Sequence, residues 1–169
     1  MDNLSIQFTP TLWHGMNEEE QAKALLFGHC RISVNSDPGM EIRKVIDTQL
    51  SYKELATWLK DNHTALLEER IPIGDSEFSS IAEAIARFYE GLDPDNENTE
   101  KSDRLYTYRV SHGVRFGQRG TDIPDVYIGL FRSAYEVSLY TESEKWRHDV
   151  DLPLFLTEAD RLFEGLQSA

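Results

Sequence analysis

The residues able to do chemistry are few and poorly spaced for it. Histidines stand at positions 14, 29, 63, 112 and 148, and Cys30 is the sole cysteine. No two histidines lie three or four apart and no His-Glu-x-x-His occurs, so no metal site is expected. One thiol can form neither an intramolecular disulfide nor a multi-cysteine metal site. Within Gly28-His29-Cys30-Arg31-Ile32 it reads as a small buried apolar group of a strand, not an activated nucleophile. His63 falls on the apolar side of a predicted helix and reads as a partly buried imidazole. Gly-x-Ser-x-Gly is absent. Asp149 and Asp151 point to one face if they share a strand, as an acid–base pair requires, but thirty acidic residues supply such pairs by chance. The stretch from Gly113 to Gly120 is glycine-rich and basic but lacks the Lys-Ser/Thr ending of a P-loop, and reads as a β-turn between strands. No catalytic residue, cofactor or enzymatic activity is expected.

The charge points elsewhere. Seventeen Lys and Arg against thirty Asp and Glu leave a formal charge of -13, a field that repels nucleic acid and anionic lipid and attracts basic surfaces. Nine of the carboxylates (Asp75, Glu77, Glu83, Glu90, Asp93, Asp95, Glu97, Glu100 and Asp103) share one segment, opposed within it only by Arg87 and Lys101. Tyr106 and Tyr108 follow at once. Carboxylates to steer and aromatics to anchor are the ingredients of a protein-binding surface. The candidate partner-binding residues are therefore Asp93, Asp95, Glu97, Glu100, Asp103, Tyr106 and Tyr108, and the expected partner is a basic protein, with no direct nucleic-acid contact and no membrane contact. The alternative is an acidic nucleic-acid mimic that inhibits a DNA-binding or defence protein, which needs carboxylates spread along an elongated face.

The elements that must carry these residues follow from periodicity. Leu4, Ile6 and Phe8 predict a strand before Pro10; Asn17 followed by three glutamates predicts a short helix through Ala22, Leu25 and Leu26. His29 to Asn35 alternates and closes in the turn-forming Asn35-Ser36-Asp37-Pro38-Gly39, with a returning strand from Met40. Ser51-Tyr52-Lys53-Glu54 is a capping box opening a helix whose apolar face runs to Leu67. Phe78, Ile81, Ile85, Phe88 and Leu92 predict a second helix capped by Asp75 or Ser76, and both helices are expected on one side of a sheet. Asp93 to Asp103 has no apolar residue and is expected to be a mobile acidic loop. The alternation from Leu105 to Ser111 predicts a strand opening a β-rich half. Val126 to Phe131 and Tyr135 to Tyr140 follow as strands, the latter half-exposed, and then Trp146 to Leu152. Pro153 or Thr157 opens a closing amphipathic helix.

Together these give a single α+β domain over residues 1–169, an antiparallel sheet packed against two to four amphipathic helices, long enough at 169 residues to enclose its own core. Met1-Asp2-Asn3-Leu4-Ser5 lacks the basic and apolar regions of a signal peptide, and no apolar run approaches the ~20 residues a membrane helix needs. A cytoplasmic location is expected.

With its size, its acidity and the order of segments from Phe27-Gly28-His29-Cys30-Arg31-Ile32-Ser33-Val34-Asn35 and Gly39 through Leu50-Ser51-Tyr52-Lys53-Glu54-Leu55, the chain resembles the small acidic immunity proteins that bacteria encode beside polymorphic or secreted toxins. The resemblance implies a non-enzymatic protein that neutralises a cognate toxin by occluding its surface. It transfers no individual functional residue.

Overall fold

Apolar alternation through Leu4, Ile6 and Phe8, and through Cys30, Ile32 and Val34, builds two strands that bury the same face. In the computed structural model, which describes residues 1–11, 17, 19–20, 26–36, 40–92, 99–118 and 121–168, these are β1 (Asn3–Pro10) and β2 (Phe27–Ser36). They join β3 (Met40–Ser51) in an antiparallel sheet of order β1-β2-β3. Leu4 lies opposite Val34, Phe8 opposite Cys30 and Ile32 opposite Ile46. On β3 the register slips twice: Ile32 faces Ile46 but Ser33 faces Lys44, and Val34 faces Arg43 but Asn35 faces Glu41. Val45 and Ile42 are thus extra residues, and such bulges bend an edge strand and blunt it as a template for further pairing. At the predicted helix start before β2, the Asn17 side-chain carbonyl accepts the Glu20 amide at 2.9 Å and the Glu20 carboxylate accepts the Asn17 amide at 3.0 Å. Most of that segment, with Ala22 and Leu25, lies outside the described residues, as do Asp37 to Gly39 of the predicted turn.

Ser51 ends β3 and caps α1 (Tyr52–Asp61), its hydroxyl accepting the Glu54 amide at 3.4 Å. The helix stops short of Leu67. Asn62, at φ -103° and ψ 7°, donates through its side-chain amide to the Trp58 carbonyl at 2.8 Å, and a separate short helix, α2 (His63–Glu68), follows. This is the local competition that makes Asn a helix breaker. His63 sits on the exposed side, contrary to the expectation from its spacing, because the break resets the helical phase.

α3 (Ile81–Glu90) begins later than Asp75 or Ser76. Ser80 is its cap, accepting the Glu83 amide at 3.1 Å, while the Glu83 carboxylate accepts the Ser79 amide at 2.9 Å. Ser80-Ile81-Ala82-Glu83 is itself a capping box. Phe78 stays outside the helix. α4 (Thr99–His112) overturns two expectations: residues 99–103 are helical, not loop, and Leu105 to Ser111 is not a strand. Leu105, Tyr108 and His112 are the fully buried side chains, at helical steps of three and four; the apparent alternation comes from Tyr106 and Val110 on the outer side. Residues 93–98 lie outside the described residues.

A single 3-10 turn at Val114–Gly117 follows α4, so this part of the glycine-rich basic stretch is not a turn between strands, while Arg119 and Gly120 lie outside the described residues. A second antiparallel sheet is made by β4 (Tyr127–Phe131), β5 (Ala134–Tyr140) and β6 (Lys145–Asp149). Asp151 caps α5 (Leu152–Gln167) by accepting the Leu154 amide at 3.0 Å. Pro153 lies in its first turn, and Thr157 inside the helix bonds back to the Pro153 carbonyl. The two sheets meet where the Asp2 amide donates to the Asp149 carbonyl at 3.0 Å and the Asp151 amide to the Asp2 carbonyl at 3.2 Å.

The architecture is α+β, but with two sheets and two apolar clusters. The larger holds Leu4, Ile32, Leu50, Tyr52, Leu55, Ile128, Val137 and Phe155 between the first sheet, α1, α5 and one face of the second sheet. Tyr52 ties α1 to α5 by donating its hydroxyl to the Ala159 carbonyl at 2.9 Å. The smaller holds Ile81, Ile85, Leu105, Tyr108, Tyr127 and Phe131 between α3, α4 and the opposite face of the second sheet. α1 and α3 thus cover different sheets, not one. The second sheet is buried on both faces, so β5 is not half-exposed: Glu136 and Ser138 are as buried as Val137. Cys30 is buried as expected, and burial pushes its thiol up to about 12.

Candidate functional site

α4 decides which of the expected partner-binding residues can meet a partner. Asp103 and Tyr106, three apart, share its outward face; Tyr106 is 57% exposed and Glu100 is exposed one turn earlier. Neither carboxylate has an ion pair among the described residues. Tyr108 is removed from this surface: it is fully buried, because two residues along a helix turn about 200° from Tyr106. Asp93, Asp95 and Glu97 lie outside the described residues. The field is also less one-signed than the segment alone implies. Lys101 and Arg104 alternate with Glu100 and Asp103 on α4, Arg87 pairs with Glu90 at 2.9 Å, and Arg132 caps the 75–78 turn by donating to the carbonyls of Asp75 at 3.1 Å and Phe78 at 2.6 Å.

Beneath this surface lies a polar core that alternation had assigned to solvent. Glu136 accepts the Ile81 amide at 2.7 Å, at the N-terminus of α3, and the Ser138 hydroxyl at 2.8 Å. Arg147 Nε lies 2.7 Å from its other carboxylate oxygen, and Arg147 also pairs with Asp149 at 2.6 Å. Burial raises the Glu136 carboxyl above its ordinary range, opposed by the amide, the hydroxyl and Arg147. Arg147 reaches from β6 over the strand to make a buried charge tolerable.

His112 is the fully buried histidine among the described residues. Its ring stacks on Tyr108 with centroids 3.7 Å apart. Nε2 lies 3.2 Å from the Ala65 carbonyl, and Nδ1 lies 2.9 Å from the Ser111 hydroxyl and 3.0 Å from the Tyr108 carbonyl. A neutral ring carries one N–H, so it donates either from Nε2 to the Ala65 carbonyl or from Nδ1 to the Tyr108 carbonyl, according to its tautomer. Desolvation lowers its pKa to about 4, against the pull of the two carbonyls. The ring presses on β4 where Gly129 leaves room; a Cβ there would come within 2.5 Å of it. The Tyr108 hydroxyl is buried with no hydrogen-bond partner among the described residues. These contacts join α2, α4 and β4, and read as structural.

A cleft of about 250 Å³ opens between α3, α4 and the second sheet. Ala82, Ile85, Ala86 and Tyr89 come from α3, Arg109 from α4, and Asp125, Tyr127 and Tyr140 from the sheet side. Arg109 Nε donates to the Tyr127 hydroxyl at 3.1 Å and its guanidinium lies 4.9 Å from the Tyr89 ring centre. Asp125 is neutralised by Arg115 at 2.6 Å. Lys145 donates to the Tyr140 hydroxyl at 3.2 Å. The cleft is a cationic and aromatic spot in an acidic chain. Only Arg109 at the third step after Tyr106 hinted at it in the sequence, since the three tyrosines come from distant elements.

Among the described residues, no group of three His, Cys, Asp or Glu side chains could hold a metal ion, and no helix is long and apolar enough to cross a membrane. No family model, curated protein or solved structure matches the chain.

Proposed function

We propose that this chain is a non-catalytic cytoplasmic binding protein that neutralises a cognate toxin by covering the toxin's working surface. The observation that carries the reading is the outward face of α4, where Asp103 and the 57% exposed Tyr106 stand three residues apart on a rigid helix. A carboxylate beside an exposed aromatic ring suits a basic partner: the charge speeds encounter and the ring slows release. Ordered presentation on a helix favours this, because little side-chain and backbone freedom is lost on docking. The interleaving of Lys101 and Arg104 weighs against the nucleic-acid mimic, which needs an unbroken row of carboxylates.

The test is protection of cells in trans from the product of the adjacent open reading frame, with affinity measured for the purified pair. Tyr106→Ala should weaken binding chiefly through faster dissociation, and Glu100→Lys with Asp103→Lys should slow association by about tenfold at low salt. A harmless neighbouring product, or a toxin bound equally well by all three proteins, would end the proposal.

A further inference from the structure

We infer that the Arg109 cleft is a binding site for a small aromatic carboxylate, a site independent of the toxin reading and of the acidic face of α4. Arg109 is half-buried, yet among the described residues it pairs with no carboxylate; its partners are the Tyr127 hydroxyl at 3.1 Å and the Tyr89 ring at 4.9 Å. In a chain with a formal charge of -13, a shielded guanidinium with no acid paired to it is suited to an anionic ligand. The two contacts hold the fork still: Nε donates to Tyr127 and the guanidinium lies over Tyr89, whose hydroxyl also accepts from it, so the remaining N–H groups are those that can donate to a ligand. A planar carboxylate is the acceptor that matches such donors bidentately.

The rest of the cleft sets the body of the ligand. Ala82 and Ala86, one helical turn apart on α3, keep the wall beside Tyr89 low, and Tyr140 closes the far side. Tyr140 is held by Lys145, whose ammonium lies 4.3 Å from its ring centre, and by Arg87 at 5.3 Å. A ring therefore finds aromatic and methyl surface for its faces. The carboxylate in the wall, Asp125, is engaged by Arg115 at 2.6 Å. The same chemistry is offered by a free aryl acid and by a peptide whose last residue is aromatic.

Phenylacetate is the probe, titrated into the 15N-labelled protein against its neutral amide. Saturable shifts at the Ala82, Ala86 and Arg109 amides are expected with phenylacetate, and affinity lower by about tenfold or more for phenylacetamide and for the Arg109→Gln protein. Ala86→Leu, which fills the cleft and leaves Arg109 in place, should abolish the shifts while the remaining spectrum stays native. A peptide ending in free Tyr, compared with its amidated form, separates the sources: tighter binding than phenylacetate by the acid form alone assigns a chain terminus, and weaker binding assigns a free acid. Absence of saturation, equal binding of the acid and the amide, or unchanged affinity in either variant overturns the inference.

Discussion

Acidification should destabilise this protein through one imidazole. His112 is fully buried, and its pKa falls from the ordinary 6.5 to about 4 because burial penalises the charged ring. In the unfolded chain the ring titrates normally. Its contribution to stability is therefore complete above pH 6.5 and is lost as the pH falls toward 4, where the unfolded state has taken up a proton that the folded state refuses. At about 1.36 kcal/mol per pKa unit, the gap is worth on the order of 3 kcal/mol. This is a large share of the roughly 5–15 kcal/mol that holds a typical domain together. The assay is urea unfolding at pH steps between 7 and 5, wild type against His112→Gln, whose amide keeps a donor for the Ala65 carbonyl. The variant should start less stable, having lost the stack on Tyr108, but its stability should fall less steeply, the two curves converging by up to about 1.4 kcal/mol per pH unit. Parallel curves, or an NMR titration of His112 in the folded protein near 6.5, would refute the reasoning.

Glu136 titrates with the opposite sign. Its folded pKa is raised by burial, so its protonated form favours the folded state below the ordinary carboxyl range, and that advantage is lost as pH rises through the folded value. Glu136→Gln keeps an acceptor for the Ile81 amide and should remove that pH dependence, whereas Glu136→Ala leaves the amide and Arg147 uncompensated and should cost about 3–5 kcal/mol in thermal or urea unfolding. The two tyrosines of α4 should separate cleanly in the same assay: Tyr106→Ala stays within about 0.5 kcal/mol of wild type, and Tyr108→Ala loses about 3–5 kcal/mol. Tyr108→Phe removes a buried hydroxyl that has no partner among the described residues and should be neutral or stabilising; a loss above about 1 kcal/mol would show that the hydroxyl is bonded. Gly28→Ala should lower stability by about 1–3 kcal/mol or more in thermal unfolding followed by circular dichroism, since its Cβ would clash with the Thr9 carbonyl oxygen across the β1–β2 pair.

Local chemistry was enough for the first sheet and the start of the first helix. Alternation placed β1, β2 and the return of β3, and the Ser51 to Glu54 spacing placed the start of α1, because capping bonds and strand periodicity act over a few residues and leave their mark in residue type. A second capping box, Ser80 to Glu83, was equally legible and was obscured by Phe78, whose spacing extended the apolar pattern one turn too far. The outcome at Leu105 to Ser111 belonged to tertiary structure: seven residues of mixed polarity fit both periods, and packing of Leu105, Tyr108 and His112 against α3 and the second sheet selected the helix. The same layer decided the fate of β5, where a Glu and a Ser alternating with apolar residues describe a solvated face unless a helix supplies amides and an arginine supplies charge. For the site, the acidic character and Tyr106 were readable one residue at a time, while the Arg109 cleft was not. Its walls come from α3, α4 and the second sheet, and proximity between distant residues is set by the packing of elements, a property no local pattern encodes.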